Sequence, residues 1–254
     1  METTPPELPV EATPAPTTSL LSKLFNVFAT PGDVFEEVIG SKINMLIWIL
    51  PTLIVLSVAL GSVGMIFSNE NVVRQVREQQ NAAMEKKLKD LPKAQQDQAK
   101  AAVEQFTTPG LLKTFAVFGA GISVVVWVFL VAFLVWLAGK LIFKAEFPYV
   151  KSLEVCGLAG MVNVIGGIVG TFLIIAKGNI YANAGPVLFL ADFNTANKTH
   201  MLLASYNVVT IWYIAVLGIG LAKLSRCSAM KAFLVLLMPW AVIKFCMIWV
   251  SMGS

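Results

Sequence analysis

Hydrophobic residues gather into five long runs: Met45–Phe67, Thr114–Gly139, Val155–Ala176, Met201–Ala222 and Ala232–Val250. The first four contain no charged residue, and the fifth contains only Lys244. A helix needs about 20 apolar residues to cross the hydrocarbon of a bilayer, and each run approximates or exceeds that length. The pattern predicts five transmembrane helices. The second run can extend to Phe143, which implies tilt or projection past the bilayer. Val187–Leu190 is apolar but too short to span, and is read as interfacial.

The polar stretches between the runs set the domain organisation. Residues 1–17, rich in Pro and Thr and free of basic residues, cannot bury enough apolar surface to order themselves and are read as a disordered tail. They lack the features of a secretory signal. Residues 18–42 carry two short amphipathic patterns. Leu20, Leu21, Leu24, Phe25, Val27 and Phe28 recur at roughly helical spacing, then Thr30-Pro31-Gly32-Asp33 offers an N-cap, a first-turn proline and an early acid. Val34, Phe35, Val38 and Ile39 share one side of the second pattern. Such helices before a span either lie in the membrane interface with apolar faces down or pack on the bundle. Residues 43–250 form the membrane domain. Inserted in it, residues 68–113 hold eight basic and six acidic residues and are read as a polar helical hairpin broken at Pro92, either a solvated cap or a partner-binding arm. The expected fold class is all-α: five transmembrane helices, N-terminal interfacial amphipathic helices and an extramembrane helical hairpin.

Composition narrows the function. Hydrophobic residues make up 57% of the 254 residues and charged residues 13%, about half the ~25% of soluble domains. With a mean hydropathy of +0.74, this is the composition of a polytopic membrane protein. A net charge of +4, scattered along the chain, does not point to nucleic acid. Cys156, Cys227 and Cys246 lack C-x-x-C spacing and are expected to be small buried hydrophobes. No disulfide framework, metal site or cofactor site is indicated. No G-x-S-x-G, H-E-x-x-H, Walker A or dinucleotide-binding motif occurs. His200 has no evident dyad partner and no paired carboxylates lie in the spans, so the protein is read as non-enzymatic.

Orientation follows from basic residues in short loops. With the N-terminus cytoplasmic, Lys140, Lys144, Lys151, Lys223, Arg226 and Lys231 lie inside, against Lys177 and Lys198 outside. Including the hairpin, Lys23 and Lys42 nearly balances the two sides. The N-inside arrangement is taken because a translocated segment of balanced charge is tolerated. Lys151 and Glu154, flanking the third span, are expected at the interface rather than buried.

The candidate intramembrane site comprises Gly160, Asn163, Gly167, Gly170, Asn207 and Lys244. Cys156, Gly160, Asn163, Gly167 and Gly170 are spaced 4, 3, 4 and 3, which places them on one helix face. Lipid supplies no hydrophobic drive between helices, so small residues mark close backbone approach. The third span is therefore the expected central helix, and its small face either packs tightly or lines a groove. Gly166 and Gly170 form a G-x-x-x-G pair through which a homo-oligomer could assemble. Lys244 at membrane depth either snorkels to the interface or meets Asn207 or a lipid phosphate. Pro51 and Pro239 are expected to kink their spans.

The chain resembles the Yip family (Ypt/Rab-interacting-protein-like membrane proteins), in its bacterial branch. The residues that carry the resemblance are Phe28-Ala-Thr-Pro31-Gly-Asp-Val-Phe35, then Asn207-Val-Val-Thr-Ile-Trp212-Tyr213-Ile, Leu217-Gly-Ile-Gly220-Leu-Ala-Lys223-Leu and Ser225-Arg-Cys-Ser228-Ala-Met-Lys231-Ala between the last two spans. The resemblance covers roughly residues 20–250. It implies five spans, a cytoplasmic N-terminus, a role in membrane organisation or trafficking and no enzymatic site. A bacterial inner membrane is then the expected location. The expected partners are membrane lipids, a protein bound through the 68–113 hairpin or the N-terminal helices, or a second copy of the chain, with no nucleic acid. A transporter or lipid-moving protein, with its path along the third span and Lys244, is the alternative.

Overall fold

The structure is a computed structural model that describes residues 18–88, 92, 93, 95, 96, 98, 108–190, 193–195 and 197–253. The proposed disordered tail therefore lies outside the described residues, as does most of the hairpin's second arm. Every regular element among the described residues is helical. In chain order these are α1 (Leu20–Ala29), α2 (Pro31–Gly40), α3 (Leu46–Ile66), α4 (Glu70–Leu88), α5 (Pro109–Leu141), α6 (Tyr149–Ala159), α7 (Met161–Lys177), a short 3-10 turn (Pro186–Phe189), α8 (Lys198–Ser205), α9 (Val208–Ser225) and α10 (Ala229–Gly253). Five helical segments are long and apolar enough to cross a membrane: Leu46–Ile66, Gly110–Leu141, Tyr149–Lys177, Lys198–Ser225 and Ala229–Cys246. Their apolarity, together with Leu53, Phe118, Phe133, Phe172, Met238 and Phe245 left exposed on the bundle's surface, makes this an integral membrane bundle, because no soluble domain leaves so broad an apolar belt in water.

Two of the runs are interrupted. The third divides at Gly160, where the Asn163 N–H donates to the Gly160 carbonyl (2.9 Å), a tight i−3 turn between α6 and α7. The fourth divides at Tyr206–Asn207. There the Asn207 side chain accepts from Val209 N (2.9 Å) and starts α9, while Val208 N donates out of the helix to Ala184 O (2.9 Å). An asparagine offers its own acceptor to free helix N–H groups, so it starts helices better than it continues them. The second run is longer than its apolar core: the 33 residues of α5 extend about 50 Å at 1.5 Å per residue, well beyond a ~30 Å hydrocarbon layer.

The core concentrates at one end of the bundle. Phe35, Val38, Val135, Leu158, Val162, Val216 and Leu221 are all buried there, and α1 and α2 contribute their apolar faces to it. Ser19 caps α1 by accepting from Ser22 N (3.1 Å). Thr30 precedes α2 as expected, but its side chain makes no capping bond, and the Thr30 carbonyl alone receives Asp33 N and Val34 N. Leu24 and Val27 of α1, and Val34, Phe35 and Val38 of α2, pack on protein, with Phe28 tilted 5.9 Å from Trp212. On the far side of α1, Leu21 and Phe25 stay exposed.

At the opposite end α4 docks on the close of α7. Gln75 donates to Gly178 O (2.8 Å) and accepts from Ile180 N (3.3 Å), and Val72 is buried beneath. Gly178 ends α7 in the left-handed conformation (φ +59°), which glycine adopts without a Cβ penalty.

Candidate functional site

Two features gather polar chemistry inside the bundle. The first lies where α6 begins. Glu154 is fully buried and Lys151 nearly so, which corrects the interfacial placement expected from their position. Lys151 Nζ donates to Val38 O (2.6 Å) and Ser41 O (2.9 Å), and Glu154 Oε1 accepts from Asn44 N (2.6 Å). Between the two charges Nζ and Oε2 lie 2.8 Å apart, an ionic contact rather than an aligned hydrogen bond. Both carbonyls and the N–H belong to the end of α2 and the link into α3. A buried charge survives only when it is paired and hydrogen-bonded, and here the backbone of Val38, Ser41 and Asn44 supplies the bonds. Sequence spacing shows the i,i+3 pair but not the partners 110 residues away.

Two further ion pairs fasten the same end. Lys23 meets Glu37 at 2.7 Å, with Thr18 donating to the same carboxylate. Burial pushes Glu37 upward, but the Lys23 ammonium and the Thr18 donors outweigh it, so the carboxyl sits below its ordinary range. Lys223 of α9 binds Glu36 on the exposed side and lowers that carboxyl too, through its hydrogen bond and its charge.

The second feature is a cavity of about 330 Å³ between α3, α5, α6–α7 and α9. Gly160 and Asn163 line it, beside Thr52, Ser123, Trp127, Cys156, Gly157 and Tyr213. Cys156 and Tyr213 are buried at its floor, whereas Ser123 and Trp127 are exposed at its mouth. No lysine, arginine, aspartate or glutamate lines it.

The other expected site residues go elsewhere. Gly167 faces Val58 of α3, and a Cβ there would come within 3.0 Å of it. Gly166 faces Val209 of α9 (2.8 Å). The G-x-x-x-G pair is thus half consumed by helices of the same chain, while Gly170 has open space around it. Gly157 makes the tightest approach on this face: a Cβ would fall 2.5 Å from the Trp48 Cα. Asn207 spends its oxygen on α9's first turn, and the pairing with Lys244, one of the alternatives, is not formed. Lys244, half-buried on α10, has no hydrogen bond or ion pair among the described residues. Of the cysteines only Cys156 is buried; Cys227 is half-buried and Cys246 exposed, because the apolar run around Cys246 faces outward. Gly160 and Asn163 are brought together, then, and Gly167, Gly170, Asn207 and Lys244 are not part of that cavity.

This arrangement defines a polytopic helical membrane protein whose N-terminal helices are fastened to one end of a five-span bundle by the buried Lys151, through the Val38 and Ser41 carbonyls, and by Lys223 through Glu36. The family model described as the Yip1 domain matches residues 25–250, and the chain belongs to that family. The match begins inside α1 and ends inside α10, so it embraces the fastened helices and all five spans. No curated protein and no solved structure matches the chain.

Proposed function

We propose that the protein organises membranes without catalysing a reaction. Helices α1 and α2 act as a wedge in the cytoplasmic face of a bacterial inner membrane, and membrane lipids are the immediate partners. One observation carries this reading. Lys151 donates to the Val38 and Ser41 carbonyls and Lys223 pairs with Glu36, which ties α2 to the bundle, and Lys23–Glu37 ties α1 to α2, while Leu21 and Phe25 of α1, with Ile43, Met45 and Leu46 beside them, remain uncovered. A fixed apolar ridge at the level of the headgroups displaces lipid in one leaflet. The N-inside orientation is supported by the excess of lysine and arginine in the short loops at this end. The polar segment around α4 is the place for a protein partner on the other side.

The test is reconstitution of the full chain in vesicles, with vesicle diameter and tubulation read by electron microscopy. Replacing Leu21 and Phe25 by serine, or deleting residues 20–40, is expected to abolish changes in vesicle shape while the five spans still insert. Unchanged shaping by the serine variant would remove the reading. The cavity at Gly160 and Asn163 favours a second reading, movement of lipid or solute. Flux of a labelled lipid in proteoliposomes, compared between the natural chain and Asn163→Leu, tests it. Absence of protein-dependent flux excludes it.

A further inference from the structure

We propose that the cavity between α3, α5, α6–α7 and α9 binds a neutral apolar molecule through a carbonyl oxygen. The inference goes beyond membrane shaping and does not depend on it. Tyr213 is nine-tenths buried at the cavity floor, and its hydroxyl has no hydrogen-bond partner among the described residues. The Asn163 amide and the Ser123 hydroxyl, also in the wall, have none either. Thr52 already donates to Trp48 O (2.6 Å). In hydrocarbon an unpaired donor is costly, and here three such groups converge on one space instead of turning to neighbouring helices.

The chemistry of the lining sets the ligand class. Unpaired donors are available there, two N–H from Asn163, O–H from Tyr213 and Ser123 and the weak S–H of Cys156, beside the acceptor oxygens of the same amide and hydroxyls. Such a wall suits an acceptor, and a carbonyl oxygen takes two bonds. The missing charged side chain disfavours a phosphate or an ammonium. Depth sets the source. Asn163 lies 14 residues from the start of α6 and Tyr213 lies 12 from the end of α9, about 18–21 Å along each helix, which is deep in the hydrocarbon. A glycerolipid ester without a charged head, or a prenylated quinone, carries carbonyls on a molecule able to enter there. About 330 Å³ is at the small end of ligand pockets. It holds the carbonyl-bearing head and leaves the tail to pass the exposed Trp127 into the bilayer.

The test uses the full chain in nanodiscs of phosphatidylethanolamine and phosphatidylglycerol, doped with dioleoylglycerol in one arm and a prenylated benzoquinone in the other. Native mass spectrometry reads the molecules retained per chain. One molecule per chain is expected in one arm, and the arm that retains it identifies the source. Retention should fall roughly tenfold when Tyr213→Phe and Asn163→Leu are combined, since two hydrogen bonds are lost. Ser123→Trp, placed at the exposed mouth where folding tolerates bulk, should block entry even if the double variant fails to fold. Lys244→Ala should change nothing. No retained molecule in either arm, a cavity occupied by water alone, or retention undiminished in Ser123→Trp would overturn the proposal. Vesicle shaping lost in the Leu21/Phe25 serine variant with retention intact would separate this site from the wedge.

Discussion

Lys151 and Glu154 show how much one residue pair can depend on distant backbone. In an open helix this i,i+3 pair would contribute about 0.2–0.5 kcal/mol. Buried, it carries the carbonyls of Val38 and Ser41 and the N–H of Asn44 as well. Lys151→Met is expected to destabilise by roughly 3–5 kcal/mol, because Glu154 keeps a buried charge without its counter-ion. Adding Glu154→Leu should recover only part of the loss, since the Ser41 carbonyl and the Asn44 N–H then lose their partners. Thermal unfolding in detergent, followed by tryptophan fluorescence, checks both steps; a double variant as stable as the natural chain would show that the backbone bonds contribute little. The i,i+3 spacing was readable in the chain. The burial was not, because it depends on where the α2–α3 link returns.

Among elements, the third span divides its small residues between two jobs. Gly157, Gly166 and Gly167 admit Trp48, Val209 and Val58, so α3 and α9 approach closely, whereas Gly160 and Asn163 line the cavity. Gly157→Ala must push α3 away from α6, because the new methyl would meet Trp48 backbone rather than a flexible side-chain tip. A cost of roughly 1–3 kcal/mol is expected. Gly170→Ala, in open space, should lie within about 0.5 kcal/mol of the natural chain. Melting temperatures of the two variants, measured side by side, decide the point. The 4-3-4-3 spacing correctly marks a small-residue face, but spacing alone assigns every residue on it the same role. Neighbouring helices decide which glycine is filled and which is left open. The breaks at Gly160 and Asn207 likewise hide within apolar runs, where hydropathy carries no sign of a turn.

For the whole molecule, five crossings place the fastened N-terminal helices and the 3-10 turn on opposite sides of the bilayer. In a chain whose three native cysteines are replaced by alanine, Ala29→Cys and Phe189→Cys are both exposed positions. A membrane-impermeant maleimide applied to intact cells is expected to label Phe189→Cys and to reach Ala29→Cys only after lysis. Labelling of both from the same side would contradict five crossings, and the reverse pattern would invert the orientation.

The linear chain determined the membrane class, the number of crossings, the two N-terminal helices and the small-residue face of the third span. Each rests on local apolar length or on helical periodicity, and neither needs a neighbour. Tertiary structure alone decided that Lys151 and Glu154 are buried, that Asn207 starts a helix instead of meeting Lys244, and that Asn163 and Tyr213 share a cavity. These outcomes depend on which backbone groups and side chains lie within hydrogen-bonding distance of one another, and residues 50 to 110 positions apart become neighbours only when the bundle closes.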